Sequence, residues 1–163
     1  MNLAELNVAP ADDLRTALLA CCDVASWAEA VLGGRPYADT TALLATADRA
    51  ARSFTPEEVD RALAAHPRIG ERAQGSDTGA AWSRQEQSGV SRDERTQAEL
   101  VVANRDYEDR FGRVFLVCAT GLSAEEILAA ARARLGHDDA TEDAVVADEL
   151  RKIALLRLRK VLA

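Results

Sequence analysis

The stretch from Ala65 to Val90 carries the residue types that acid–base chemistry requires. His66 is one of only two histidines in the chain. It stands where a helical pattern meets Pro67, and proline biases the residue before it away from helical angles. An imidazole at the C-terminal end of a helix faces the negative end of the helix dipole, which favours a positive charge by about 0.3–1 kcal/mol. His66 is therefore a candidate to hold and deliver a proton near neutral pH. The same position also suits a histidine that only bonds the last carbonyls of its helix. Ser83, Glu86 and Gln87 follow at i, i+3 and i+4, which is one face of a helix. A carboxylate that orients the imidazole, with an amide and a hydroxyl beside it, would make a small polar pocket. The same spacing also describes a solvated helix face, with Arg84 and Gln85 alongside.

Arg157 is a second kind of clue. Val146, Leu150, Ile153 and Val161 form an apolar stripe on the final helix, and Arg157 falls within it. A guanidinium there needs an internal carboxylate or an anionic ligand as partner. Alternatively, its stem lies on the core and its head reaches water. Asn104 sits similarly in the stripe of Leu100, Tyr107 and Phe111, where a satisfied buried amide is the simplest account. His137, after Leu135-Gly136, reads as a surface or capping residue, and Cys118 as a core residue. Cys21-Cys22 shows no neighbouring base that would make a nucleophile. Gly70, Gly75 and Gly79 do not form a phosphate loop.

The elements that must position these residues are helices. Apolar stripes predict helices over Pro10–Cys22, Ser26–Leu32 and Thr40–Arg52, with Gly33-Gly34-Arg35-Pro36 ending the second. Thr55-Pro56-Glu57-Glu58 is a capping box with proline at the first helical position, and Val59, Ala62 and Leu63 face inward. Arg68 to Gly79 reads as a loop and Ala80 to Ser88 as a short helix. A further capping box, Ser91 to Glu94, opens a helix that Gly112 stops after Phe111. Val114 to Ala119 is the one strand-like run, too short for a sheet and expected as a buried extended segment. Ser123 to Glu126 caps a helix ending near Leu135-Gly136, and Asp139 to Glu142 caps the last. The expected fold is all-α: a single domain over residues 1–163, with roughly eight helices and short connections.

Composition agrees. Hydrophobic residues make up 48% of the 163, enough for a sizeable core, while aromatics are only 4%. Alanine and leucine dominate, which favours helix. The formal net charge of −7 argues against nucleic acid and anionic membranes as partners. It leaves room for a small anionic substrate held by an arginine. Three cysteines without a CxxC pair read as reduced thiols of a cytoplasmic protein. Metal ligands at recognisable spacing are lacking. No apolar run reaches membrane-spanning length, and Met1 to Pro10 has neither the basic start nor the apolar centre of a signal peptide.

Four motifs in order then carry a resemblance: HPRIG from His66, SRQEQ from Ser83, N-x-x-Y-x-x-RFG-x-x-F from Asn104 to Phe115, and I-x-x-x-RL from Ile153 to Leu158. Together they resemble the OHCU decarboxylases, which decarboxylate 2-oxo-4-hydroxy-4-carboxy-5-ureidoimidazoline (OHCU) in urate degradation. The resemblance runs from Thr55 to Leu158. It implies an all-helical, usually homodimeric enzyme that needs no metal or organic cofactor and yields (S)-allantoin. It also implies His66 and Glu86 as the catalytic residues. Pro67, Ser83, Gln87 and Arg157 would contact substrate, together with the backbone of Phe115, Leu116, Val117, Cys118 and Ala119. One departure is visible: members often carry Asn after Arg-Leu-Gly, where this chain has His137. Two other readings of the same residues are a non-catalytic ligand- or partner-binding module and a hydrolase of a related ureido compound with Glu86 as base.

Overall fold

A computed structural model describes residues 1–70, 78–88 and 94–163. Among them are nine helices and no strand: α1 (Leu3–Val8), α2 (Ala11–Cys21), α3 (Ala25–Gly33), α4 (Thr40–Ala51), α5 (Pro56–Leu63), α6 (Thr78–Glu86), α7 (Glu94–Phe111), α8 (Ala124–Arg134) and α9 (Asp139–Val161). The fold class is all-α, as the sequence pattern predicts. None of these helices is long and apolar enough to cross a membrane. The chain divides into two compact units, one of Met1–Ala62 with Ala147–Ala163 and one of Leu63–Val146.

The first unit is built on α2, α3 and α4. The expected stripe of Leu14, Leu18 and Cys21 is fully buried, as are Trp27 and Val31 on α3 and Leu43 and Ala47 on α4. A buried indole N–H needs an acceptor, and Trp27 Nε1 finds the Ala47 carbonyl at 3.0 Å, which fixes α3 against α4. Leu150, Ile153 and Leu158 of α9 are buried in the same unit. Asp48 of α4 accepts a hydrogen bond from Arg151 of α9. The α5 capping box forms as expected: Glu58 N–H donates to Thr55 Oγ1 at 3.2 Å, and Thr55 N–H to Glu58 Oε2 at 2.9 Å. Helix α1 was not anticipated. Its signal is the Asn2–Glu5 capping box, which the structure shows complete.

The second unit packs Leu100, Ala103 and Tyr107 of α7 against Ala124, Ile127, Leu128 and Ala131 of α8. Gly112 at φ +69° closes α7 with its N–H on the Glu108 carbonyl at 2.7 Å, a left-handed stop that suits glycine. Residues 114–119 then run outside any helix or strand. Phe115, Leu116, Val117 and Ala119 are buried, but Cys118 is only half-buried rather than a core residue. The Phe115 ring meets Tyr107 edge-on at 5.1 Å. Ser123 caps α8 through the expected box.

The last helix begins differently from expectation. Asp138, not Asp139, is the cap: its Oδ1 accepts the Thr141 N–H at 2.7 Å. Glu142 does not turn back to close a capping box. It points inward and is fully buried, because Arg134 and Tyr107 offer it stronger donors than a backbone amide does. The Ser91–Glu94 box and most of the Arg68–Gly79 loop lie outside the described residues.

Candidate active site

His66 sits one turn beyond α5, with its N–H on the Leu63 carbonyl at 3.0 Å. The helical path ends there because Pro67 follows. The imidazole is half-buried. The turn that carries it, His66 to Gly70, is braced from two helices. On the α7 side, the buried Asn104 donates from Nδ2 to the Ile69 carbonyl at 2.8 Å, so Asn104 is the satisfied amide that the sequence suggests. An Arg68–Glu108 ion pair adds a second tie, weak because both groups reach water. On the α6 side, the Gly70 N–H donates to Gln87 Oε1 at 3.0 Å. Gly70 has φ +90°, a region in which any residue with a Cβ is strained.

Helix α6 presents the expected face. Ser83 is buried, Glu86 and Gln87 are half-buried, and Ala81, Gln85 and Ser88 are exposed. The structure therefore brings Gln87 to the histidine turn and places Ser83 and Glu86 on the same side of the same short helix. Beside this turn lies a cavity of about 360 Å³ between Arg68–Gly70 and α7, lined also by Gln97, Leu100, Val101, Asn104, Arg105 and Glu108.

The Phe115–Ala119 backbone belongs to the same unit. The carbonyl of Leu116 within it accepts a hydrogen bond from Arg134 Nη1 at 2.7 Å. Arg134 in turn donates from Nε to Glu142 Oε1 at 2.8 Å, and the Tyr107 hydroxyl donates to the same oxygen. Burial alone would raise the Glu142 carboxyl. The hydrogen bonds from Arg134 and Tyr107 outweigh it and hold the group below the usual carboxylate range. Burial and the Glu142 carboxylate both push the Tyr107 phenol upward. His137 Nδ1 lies 3.0 Å from Glu142 Oε2. Against a carboxylate oxygen only a protonated nitrogen makes a hydrogen bond, so Nδ1 carries the hydrogen. His137, expected as a surface or capping residue, is half-exposed, and its ring also turns inward as a partner of the buried acid.

Sequence reasoning missed Arg134 and Glu142. The signal was available: Arg134 continues the buried stripe of Ile127 and Ala131 by the same spacing that exposed Arg157.

Arg157 lies in the first unit. It is 3% exposed, so the rim alternative does not apply. It is close enough to Cys21 and Cys22 to influence both electrostatically. Burial pushes each thiol up to about 12, with Arg157 opposing. Such thiols remain protonated and are poor nucleophiles.

Comparison with known proteins settles the class and then the family. A family model described as OHCU decarboxylase matches residues 7–159, so this is an all-helical carboxy-lyase. The chain belongs to the OHCU decarboxylase family. It is 31% identical over 138 residues to a 2-oxo-4-hydroxy-4-carboxy-5-ureidoimidazoline decarboxylase from Amia calva, covering 83% of this chain and 79% of that one. It is 27% identical over 165 residues to a uric acid degradation bifunctional protein from Bacillus sp. (strain TB-90), covering 99% of this chain but only 32% of that protein. The chain thus spans about a third of that relative's length. Its fold is similar to a crystal structure of OHCU decarboxylase in the presence of (S)-allantoin. The TM-score is 0.75 at 25% identity, over 88% of this chain and 95% of that one.

Proposed function

We infer that this chain decarboxylates OHCU to (S)-allantoin as a step of urate degradation. The observation that carries the reading is the family match across residues 7–159. The braced turn bearing His66 supports it as the place where the proton is handled.

The chemistry follows from the substrate. Its carboxyl group sits on the ring carbon that also bears a hydroxyl, next to a ring carbon doubly bonded to nitrogen. When the bond to the carboxylate breaks, CO₂ leaves and its electron pair forms a double bond between those two carbons. The former C=N pair moves to nitrogen, which takes a proton. The product is an enol. Loss of the enol proton and delivery of one proton to the ureido-bearing carbon give allantoin. The ring is its own electron sink, so the residues need only hold, polarise and protonate.

In this reading His66 delivers the proton to one face of the planar enol, which sets a single hand. Glu86 orients the imidazole. Arg157 binds the substrate's anionic oxygens through its planar fork. Ser83 and Gln87 bond the ureido and ring amides, and Pro67 shapes the turn against the ligand. Backbone amides within Phe115–Ala119 meet the developing negative charge. The homodimer that the resemblance implies, and the cytoplasmic location suggested by the reduced cysteines, belong to the same proposal.

The test generates OHCU in situ from urate with the upstream enzymes and follows its decay by ultraviolet absorbance and circular dichroism. Accelerated decay with CO₂ release and one-handed allantoin is the expected result. Decay at the spontaneous rate in the presence of folded protein would sink the proposal. Consumption without CO₂ would instead indicate hydrolysis.

A further inference from the structure

Arg134 and Glu142 take no part in the reaction as just described, yet they form the most deeply buried ion pair in the Leu63–Val146 unit among the described residues. Taking two charges out of water is costly, and an apolar pair of the same volume is often as stable. What this pair does that an apolar pair could not do is grip the backbone. The Arg134 guanidinium donates from Nη1 to the Leu116 carbonyl at 2.7 Å and stacks over the Phe115 ring at 4.5 Å. It therefore holds two consecutive residues of the 114–119 segment. Its Nε and Nη2 are tied to Glu142. Glu142 is itself fixed by the Tyr107 hydroxyl and by His137, so the grip cannot swing.

The peptide unit is planar and trans, so the Leu116 C=O and the Val117 N–H lie on opposite edges of one plane. Holding the oxygen fixes the direction of the N–H, which points away from Arg134. Residues 114–119 are in neither helix nor strand, so no regular ladder sets that direction.

We propose that Arg134, held by Glu142, is a positioning residue that aims the Val117 N–H as the donor meeting negative charge on the substrate. This rests on the decarboxylase reading, which gives the amides of Phe115–Ala119 that task. Arg134 touches no reacting atom; it acts through the plane of one peptide.

The experiment compares wild type with Arg134→Lys and with the double variant Arg134→Met/Glu142→Gln. Lysine keeps the charge but loses the fork. The double variant removes both charges together and leaves a side-chain amide at position 142 to accept from Tyr107, which avoids stranding a buried carboxylate. Three quantities are read: melting temperature, hydrogen exchange of individual amides by nuclear magnetic resonance, and the separate kcat and KM for OHCU. In both variants the Val117 amide should exchange about tenfold faster while Leu100 to Tyr107 of α7 keep their protection. The kcat/KM should fall about tenfold, the scale set by one charge-assisted hydrogen bond. Unchanged Val117 exchange in folded variants overturns the proposal. So does faster exchange with kcat/KM intact. If wild type shows no turnover, the decarboxylase reading fails, and the exchange data alone still decide whether Arg134 fixes the Val117 amide.

Discussion

Gln87 accepts the Gly70 N–H on its side-chain oxygen at 3.0 Å, joining α6 to the turn that carries His66. A residue expected only to touch substrate thus also sets where the histidine stands. With its oxygen committed to the turn, the NH₂ of the same amide is the part left to donate to a ureido carbonyl.

This tie makes Gln87 and Gly70 sensitive positions. Gln87→Ala should raise hydrogen exchange at Gly70 and lower kcat/KM about tenfold, the scale of one lost hydrogen bond. Gly70→Ala places a side chain at φ +90°, with its Cβ 3.1 Å from Gln97 Oε1. The backbone strain costs about 1–2 kcal/mol, which lowers the melting temperature by roughly 2–8 °C in a chain of this size. A Gly70→Ala protein with wild-type melting and activity would show that the turn does not hold the histidine.

His66→Ala should reduce OHCU decay to the spontaneous rate. The half-buried imidazole leaves little core behind it, so circular dichroism and melting should stay close to wild type. The product formed in its presence should be racemic, because no group then protonates one face. Full activity in this variant would remove His66 from the mechanism.

Arg157→Lys replaces a planar fork by a point charge. The Michaelis constant should rise by about tenfold or more, on the scale of one lost charged hydrogen bond. An unchanged Michaelis constant with a lowered melting temperature would make Arg157 a structural residue.

The buried pair Cys21 and Cys22 predicts an alkaline limb. Each thiol is raised by burial from 9.0 to about 12 in the folded protein. The folded state keeps protons that the unfolded state has lost, so their contribution is intact below pH 9 and drains away as pH rises toward about 12. Denaturant titrations at pH 8 and pH 10.5 should show falling stability, and Cys21→Ala/Cys22→Ala should flatten that fall. At pH 8, iodoacetamide followed by mass spectrometry should leave both thiols unmodified until the protein unfolds. Rapid labelling of the native protein would contradict their burial.

The legibility of this molecule in its sequence varied with the physics involved. Stripes such as Leu14–Leu18–Cys21 and Leu100–Asn104–Tyr107 could be read directly, because helical periodicity records which side faces the core. Arg157 was legible for the same reason. Glu142 was not, because an acid three residues after Asp139 fits a capping box on local grounds. Only the approach of Arg134 and Tyr107, 8 and 35 residues away, turns it inward. Likewise, nothing in the spacing of His66 and Gln87 indicates that the amide bonds the Gly70 N–H. Contacts between distant stretches depend on tertiary packing, which local pattern does not encode.

The buried carboxylate of Glu142 also limits how this sequence can drift. Tyr107, Arg134 and His137 all point hydrogens at one acid, but only Tyr107, Arg134 and Glu142 are all buried, so these three positions are not free to change independently. Replacing Glu142 strands three donors, and replacing Arg134 strands a charge. Position 137 is the most permissive, since any short side chain with a hydrogen to give serves there, and the asparagine common in the family qualifies as well as histidine does. Among diverging relatives, substitutions at the other three should therefore arrive together, and change at 137 should arrive alone.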